Sequence, residues 1–233
     1  MWPFDRKPAP EAPNSLEGKA LRYLIGANSL AKGRDDEIVE CPFDATRPPA
    51  KGLAIKYCNL FDEENTGKYG PYLKSSDTAK KYDEGQIDPR GPGWEKNLRE
   101  QFERARSQGF TVVELDNPDA YSVEDVVGAV DLAASYGLKV VAKNPLLMEG
   151  DPTPYVAHPA VVGAIVEKDA GDPVGMEALR CKAGKPTLPV WFVAFGKGRS
   201  WAQKSAAAAK PFGNMRVTHS KRGEYGSSED VTG

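Results

Sequence analysis

Short apolar runs recur along the whole chain and predict a series of β-strands. Most of these runs are continuous rather than alternating, which is typical of parallel strands that are covered on both faces. The predicted strands are residues 21–27, 38–41, 53–58, 111–115, 139–142, 161–166, 189–195 and 216–219. Between the later strands, the spacing leaves room for helices.

Three segments between these later strands have the pattern of helices. Residues 94–108 are charged and helical in period, residues 122–136 begin with Ser122 three positions before Asp125, and residues 197–210 are rich in alanine. Serine followed three residues later by an acidic residue indicates a helix N-terminus. Strands and helices that alternate in this way predict parallel βα units, and eight strands predict a (β/α)₈ barrel.

The first third of the chain departs from this regular alternation. The links at residues 28–37 and 42–52 are too short for full helices, and residues 61–93 resemble a site-forming loop because they are rich in Gly, Lys, Asp and Tyr. We therefore expect an α/β fold, a TIM-like (β/α)₈ barrel that is irregular in its first third. The predicted parts are an extended Pro-rich leader at 1–18, the barrel at 19–222 and a flexible tail at 223–233.

Composition excludes several classes of protein. The chain has 233 residues, of which 40% are apolar and 27% charged, and its formal net charge is -2. These are ordinary values for a globular protein, and the near-neutral charge argues against a nucleic-acid-coating protein. No apolar run approaches the roughly 18 residues of a membrane span, and the N-terminus lacks a Sec signal. We expect a cytoplasmic protein, with action outside the cell after lysis or by non-classical export left open.

The few cysteines and histidines give no sign of a metal site. The three cysteines are widely spaced without a CxxC pattern, and there are two histidines. This usage predicts buried structural thiols, although a pairing of Cys41 with Cys58 stays open because they end neighbouring predicted strands. No phosphate-binding glycine motif occurs in a strand–helix context, and residues 195–200 (FGKGRS) are the one hint of an anion site.

Acidic and amide residues collect at the C-terminal ends of the predicted strands. In parallel barrels the catalytic side chains come from these strand ends and from the loops that follow them. We therefore predict an active site at this end of the barrel. The residues concerned are Asp44, Asn59, Asp62, Glu63, Glu64, Glu114, Asp116, Asn117, Asn144, Glu167 and Asp169, and Lys143 lies among them.

The fourth predicted strand contains the leading catalytic candidate. Alternation places Val112, Glu114 and Asp116 on one face of this strand, and Val113 and Leu115 on the other. If the second face meets the helices, Glu114 points into the barrel mouth, where desolvation raises its pKa toward that of a usable general acid. An alternative, that the polar residues after the strand only cap the turn into the next helix, stays open.

Two segments around this strand resemble a known family. Residues 109–121 (GFTVVELDNPDAY) and 133–144 (AASYGLKVVAKN) resemble the glycoside hydrolase family 114 domain, the endo-α-1,4-polygalactosaminidase-like barrels. The segment at 86–98 (QIDPRGPGWEKNL) is similar to the family's region before a large helix. Residues 164–171 (AIVEKDAG) lie where the family has a strand that ends in a second acidic residue.

The resemblance implies roles for individual residues. It makes Glu114 the acid/base, and it makes Asp116 and Asn117 a pair that holds sugar hydroxyls or orients Glu114. Lys143 and Asn144 match the family's Lys-Asn pair. Further residues that we expect to bind substrate are Asp44, Asp88, Tyr121, Glu167, Tyr69 and Tyr72; the two loop tyrosines would stack on a glycan or, alternatively, anchor their loop.

Glycoside hydrolysis needs a second carboxyl group. Asp62 and Glu63, which follow the third predicted strand, are the first candidates, and Asp44 and Asp88 come next. We expect a glycosidase that cleaves an amino-sugar-containing polysaccharide by carboxylate acid/base chemistry without cofactor or metal. Two alternatives are a phage-type peptidoglycan-degrading endolysin of the muramidase kind and a non-catalytic glycan-binding barrel.

Overall fold

A computed structural model shows one curled sheet with helices packed on its outside. The structure describes residues 16, 19–23, 37–42, 44–49, 53–62, 67–73, 84–167, 172–195, 198–220 and 228–231. The predicted leader lies outside these residues except for Leu16, which is buried. Among the described residues, no helix has both the length and the apolar character that a membrane span requires.

Within the described residues, nine strands follow one another in chain order across the sheet. The first eight are parallel, and β9 pairs antiparallel with β8. Strand β1 also lies against β8 and β9, so the two ends of the sheet approach each other. The bounds are β1 Ala20–Tyr23, β2 Glu37–Cys41, β3 Leu53–Asn59, β4 Val112–Asp116, β5 Lys139–Lys143, β6 Val161–Glu167, β7 Val190–Phe195, β8 Met215–Ser220 and β9 Ser228–Asp230.

Five α-helices are described, all after β3. Their bounds are α1 Pro92–Ser107, α2 Val123–Ser135, α3 Thr153–Ala157, α4 Pro173–Lys182 and α5 Arg199–Ala209. The described residues between β2 and β3 contain no helix, which agrees with the predicted irregularity of the first third. The fold is therefore an α/β, barrel-like fold with a parallel sheet.

The eight predicted strands and three predicted helices are present within a few residues of the predicted bounds. Ser122 caps α2 by accepting a hydrogen bond from the Asp125 backbone N–H at 3.1 Å, and Gly137 follows this helix at a φ of 72°. Prediction missed α3 and α4, which are short and offer few periodic apolar positions. It also missed β9, which lies within the predicted tail.

Apolar side chains fill the interior of the curled sheet below its mouth. They come from inward positions of successive strands: Ile38, Ile55, Val112, Val141, Ile165, Trp191 and Val193. Trp191 donates a hydrogen bond from Nε1 to the Lys19 carbonyl at 3.0 Å. A Cβ atom on Gly163 would lie 2.7 Å from the Trp191 ring, so the absence of a side chain at Gly163 makes room for it.

A second, larger apolar core joins the outer face of the sheet to the helices. Val113 and Leu115 of β4 pack there with Leu98 and Phe102 of α1 and Val126 of α2, all at most 1% exposed. Because Val113 and Leu115 face the helices, the alternate residues of β4 must face the interior. This packing therefore determines where the acidic side chains of β4 point.

The loop at residues 67–73 is pinned to the start of α1 through a glycine. A Cβ atom on Gly93 would lie only 1.7 Å from the Tyr69 carbonyl oxygen, a distance at which the backbone must move. Tyr69 is itself buried, and its hydroxyl donates to Glu100 of α1 at 2.7 Å. The contact holds this loop against the body of the protein.

We expect Gly93→Ala to destabilise the protein by about 1–3 kcal/mol, because the added methyl group collides with backbone rather than with a flexible side chain. Urea unfolding measures the effect. Gly128→Ala is the matched control, since Gly128 is an exposed helical position with no atom within 4 Å of its Cβ site. There the alanine should stabilise the protein by about 0.5–1 kcal/mol. Equal effects of the two substitutions would contradict the close contact.

Candidate active site

The C-terminal half of the sheet interior contains a cluster of ionisable side chains. Glu40 of β2, Glu114 and Asp116 of β4, Lys143 of β5 and Glu167 of β6 all lie on inward positions of their strands. They lie above the apolar interior layer, at the end of the sheet where parallel barrels carry their active sites. Strand alternation turns these five side chains inward, and the apolar layer beneath them leaves them together at this end of the sheet.

Glu114 and Lys143 form a buried ion pair at the centre of this cluster. The Lys143 Nζ donates to Glu114 Oε1 at 2.7 Å, and both side chains are 0% exposed. Burial raises the pKa of Glu114 to about 7, with Lys143 opposing the shift and Asp116 adding to it. A carboxyl group with this pKa can exist in either protonation state near neutral pH.

The ammonium group of Lys143 also reaches a third strand. It lies 3.4 Å from Glu167 Oε1, and the Glu167 side chain is 20% exposed. Burial opposes the charge on Lys143, but attraction from Glu114, Glu167 and Asp116 outweighs it and raises the pKa of the lysine. Lys143 therefore stays protonated and links a buried carboxylate to one that reaches the surface.

Asp116 is held by a hydroxyl from the neighbouring strand. The Tyr57 hydroxyl donates to Asp116 Oδ2 at 2.9 Å, and Asp116 is only partly buried. The next residue, Asn117, donates from Nδ2 to Asn59 Oδ1 at 2.8 Å and to Glu84 Oε2 at 3.4 Å. Asp116 thus presents its carboxylate at the mouth with its orientation set by Tyr57.

Strands β4 and β5 end in the same kind of turn. Asn117 and Asn144 each take a left-handed backbone conformation, with φ of 61° and 41°, and each precedes a proline that opens a 3₁₀ turn. Asparagine tolerates this conformation better than most residues. The side chain of Asn144 accepts a hydrogen bond from the Glu167 backbone N–H at 2.8 Å, so this turn helps to position Glu167.

Glu40 is the member of the cluster that sequence reasoning missed. It lies 0% exposed on the inner face of β2, and the described residues offer neither of its carboxylate oxygens a hydrogen-bond partner. Burial raises its pKa well above the ordinary value, and repulsion from Glu114 adds to the shift. The signal was present in the alternation Ile38–Val39–Glu40, which places Glu40 on the same face as the inward Ile38.

Asp44, Asp62 and Asp88, three of the candidates for the second carboxyl group, lie in loops. Asp62 is buried and accepts a hydrogen bond from the Tyr72 hydroxyl at 2.6 Å, while Glu63 lies outside the described residues. Asp44 is exposed beyond the end of β2. Asp88 forms an ion pair with Arg90 at 3.1 Å, and the hydrogen bonds from this arginine lower the pKa of the aspartate. Asp62 and Asp88 thus bind partners that lie in loops.

The predicted sugar-stacking tyrosines differ in their exposure. Tyr69 is buried against α1, and Tyr121 is buried with its hydroxyl donating to the carbonyls of Leu60 and Ile87. Tyr72 is half-buried, and its hydroxyl donates a hydrogen bond to Asp62. Tyr69 and Tyr121 thus have the contacts of loop anchors, which is the alternative stated above for Tyr69.

The cysteines differ in their burial. Cys41 and Cys58 are buried, as expected, whereas Cys181 is exposed on α4, so the expectation of a buried thiol is wrong for this residue. In the described part of the chain, no three His, Cys, Asp or Glu side chains form a group that could hold a metal ion. Two residues of the possible anion site, 196 and 197, lie outside the described residues.

Solved structures of similar architecture include two that cover nearly the whole chain. One is Ega3 of Aspergillus fumigatus, crystallised in complex with galactosamine: TM-score 0.62, 14% identity, covering 95% of this chain and 100% of the other. The other is the glycoside hydrolase domain of PelA from Pseudomonas aeruginosa: TM-score 0.59, 15% identity, covering 91% and 98%. The chain shares their fold. No family model matches the sequence, and no curated protein matches it.

We expect Lys143→Met to destabilise the protein by about 3–5 kcal/mol at neutral pH, because it leaves Glu114 buried without its cation. The loss should be smaller at pH 5, where Glu114 is protonated and carries no charge. Adding Glu114→Gln to Lys143→Met should recover part of the loss, since the amide is neutral at every pH. Urea unfolding of the two variants at pH 5 and pH 8 tests this. A Lys143→Met variant as stable as the wild type at pH 8 would contradict the ion pair.

Proposed function

We propose that the protein is a glycoside hydrolase that cleaves an amino-sugar-containing polysaccharide. The observation that carries the proposal is the set of inward carboxyl groups around Lys143 at the mouth of a barrel-like sheet. Glycosidases need two carboxyl groups in different protonation states, and burial beside a lysine separates the states of neighbouring carboxyls. The shared fold with the PelA glycoside hydrolase domain supports the same reaction class.

Solvent exposure separates the roles of the carboxyl groups. Glu114 is 0% exposed, so in this arrangement no substrate atom can reach it, whereas Asp116 is partly exposed and Glu167 is 20% exposed. We therefore assign the direct contacts with the scissile bond to Asp116 and Glu167. Glu114 acts through Lys143, which binds both Glu114 and Glu167. This role differs from the one predicted from the sequence, in which Glu114 itself donates the proton.

Charge at the mouth favours a cationic substrate. The carboxyl groups of Asp116 and Glu167 reach the mouth, whereas the ammonium group of Lys143 is bound to Glu114 beneath it. A negative, partly desolvated mouth attracts a protonated amino group more strongly than a neutral hydroxyl group. Ega3 was crystallised with galactosamine, which carries such an amine, so the same class of substrate is proposed here.

We also propose that the sheet closes into a full barrel. Strand β1 lies against β8 and β9, so residues that join the two edges of the sheet would complete a (β/α)₈ barrel. Closure would surround the mouth on all sides and exclude water from the buried carboxyl groups, which strengthens their electrostatic interactions.

We expect Asp116→Asn and Glu167→Gln each to lower kcat by roughly 10²–10⁴-fold, because each removes one of the two carboxyl groups that acid/base catalysis requires. The measurement is the release of reducing ends from de-N-acetylated polygalactosamine and from purified peptidoglycan. Glu103→Gln removes an exposed carboxylate of α1 and serves as the control with wild-type turnover. Both amide swaps preserve shape, so folding should be retained.

The outcomes distinguish the alternatives. Full activity in both Asp116→Asn and Glu167→Gln would refute the assignment, and loss of activity in Asp62→Asn alone would move the second carboxyl group to the loop after β3. Cleavage of peptidoglycan only would identify a muramidase-like enzyme. A folded wild-type protein that binds but never cleaves either polymer would be a glycan-binding barrel.

A further inference from the structure

Three carboxylate oxygens in the barrel interior have no hydrogen-bond partner among the described residues. They are both oxygens of Glu40 and Oε2 of Glu114, the oxygen that does not contact Lys143. A buried carboxylate without a donor loses its hydration and gains nothing in return, so native proteins rarely contain one. Glu40 is such a group, and Glu114 lacks a donor at one of its two oxygens, so this interior requires an explanation.

The strand register brings these two side chains into one layer. Glu40 pairs with Ile55 of β3, whereas Glu114 pairs with Tyr57, two residues further along the same strand. In a parallel barrel this two-residue stagger between alternate strands places their inward side chains at the same height. Glu40 and Glu114 therefore lie at one level beneath the mouth, and Tyr57 projects inward from the strand between them.

The charged groups around Glu40 supply too little positive charge for two ionised carboxylates. Glu114 and Asp116 face it from β4 and Glu167 faces it from β6, and among the described residues Lys143 of β5 is the cation that acts on it. Lys143 is already bound to Glu114 and lies close to Glu167. A carboxylate is only an acceptor, so neither of two ionised carboxylates can satisfy the other.

A single proton resolves both problems. A protonated Glu40 carries no charge and becomes a donor, and the unpartnered Oε2 of Glu114 is an acceptor in the same layer. Pairs of carboxyl groups that share a site retain one proton for this reason. Such a bond would account for the unpartnered oxygen of Glu114 and for one of the two on Glu40.

We propose that Glu40 is a positioning residue that holds a proton, and that Glu40 and Glu114 form a carboxylic acid–carboxylate pair beneath the mouth. With Glu40 neutral, Lys143 has no competing anion below it and stays between Glu114 and Glu167. Loss of the proton at high pH adds a negative charge in this layer and draws Lys143 away from Glu167. The effect on turnover depends on the proposed glycosidase function, whereas the shared proton does not.

The stability of Glu40→Gln against pH tests the proton directly. Wild-type Glu40 keeps its proton in the folded state but releases it near pH 4.5 when unfolded. The folded state thus binds more protons, so the stability of the wild type falls as pH rises above this value. The amide does not titrate, and the unfolding equilibrium constant of the wild type should rise relative to Glu40→Gln by up to tenfold for each pH unit.

Urea unfolding between pH 4 and pH 9 measures this ratio, with Glu103→Gln, an exposed carboxyl, as the matched control that should follow the wild type. The proposal would be overturned if the ratio of the unfolding equilibrium constants of the wild type and Glu40→Gln were independent of pH. If the variant does not fold, the wild type labelled with ¹³C at its glutamate carboxyl carbons decides by NMR. One carboxyl group should still be protonated at pH 8, above the pKa of about 7 of Glu114, and a spectrum in which every glutamate is ionised at pH 8 would equally overturn the proposal.

The pH dependence of turnover tests the positioning role. If the proton keeps Lys143 next to Glu167, the alkaline fall in kcat should move upward by at least one pH unit in Glu40→Gln, because the amide cannot be deprotonated. An unchanged alkaline limb would refute positioning by Glu40. A wild type without any hydrolytic activity that nevertheless shows the pH-dependent stability ratio would refute the proposed glycosidase and leave the shared proton intact.

Discussion

The arrangement of the site depends on one buried cation. Lys143 ends β5 inside the sheet, donates to Glu114 at 2.7 Å and lies 3.4 Å from Glu167, so it joins three neighbouring strands. Without it, the acidic side chains of β4 and β6 would repel one another in a space from which water is largely excluded. With it, one carboxylate is buried as an ion pair and the other is presented at the mouth. The charge of Lys143 is in turn maintained by the carboxyl groups that surround it.

The fold supplies the surroundings that make this interaction strong. Below the cluster, Trp191 and the aliphatic side chains of six strands close the interior, and Gly163 gives the tryptophan ring its space. Outside, the helices cover the other face of the same strands. The result is a low-dielectric layer in which a single unpaired charge would be costly and a shared proton or ion pair is favoured. The turns at Asn117 and Asn144 then direct the chain away from the strand ends.

The strands and the inward direction of Glu114 could be predicted from the sequence because they follow from local patterns. Continuous apolar runs predicted the strands, and alternation around Val113 and Leu115 placed Glu114 on the inner face. The partners of Glu114 were harder to predict because they come from other strands and depend on register, which a single sequence does not encode locally. The alternation with Ile38 places Glu40 on the inner face, but its position in one layer with Glu114 follows only from the register. Asp62 was proposed from its position after β3, but its carboxylate contacts Tyr72 within the loop.

The most direct test of the account is a crystal structure of Glu167→Gln with a bound galactosamine oligosaccharide. The account predicts that the sugars occupy the mouth, that a glycosidic oxygen lies between Asp116 and the amide at position 167, and that Glu114 remains beneath Lys143 without touching the ligand. An oligosaccharide bound on another face of the protein, or one in direct contact with Glu114, would contradict the central claim that Lys143 separates a buried carboxylate from a reactive one.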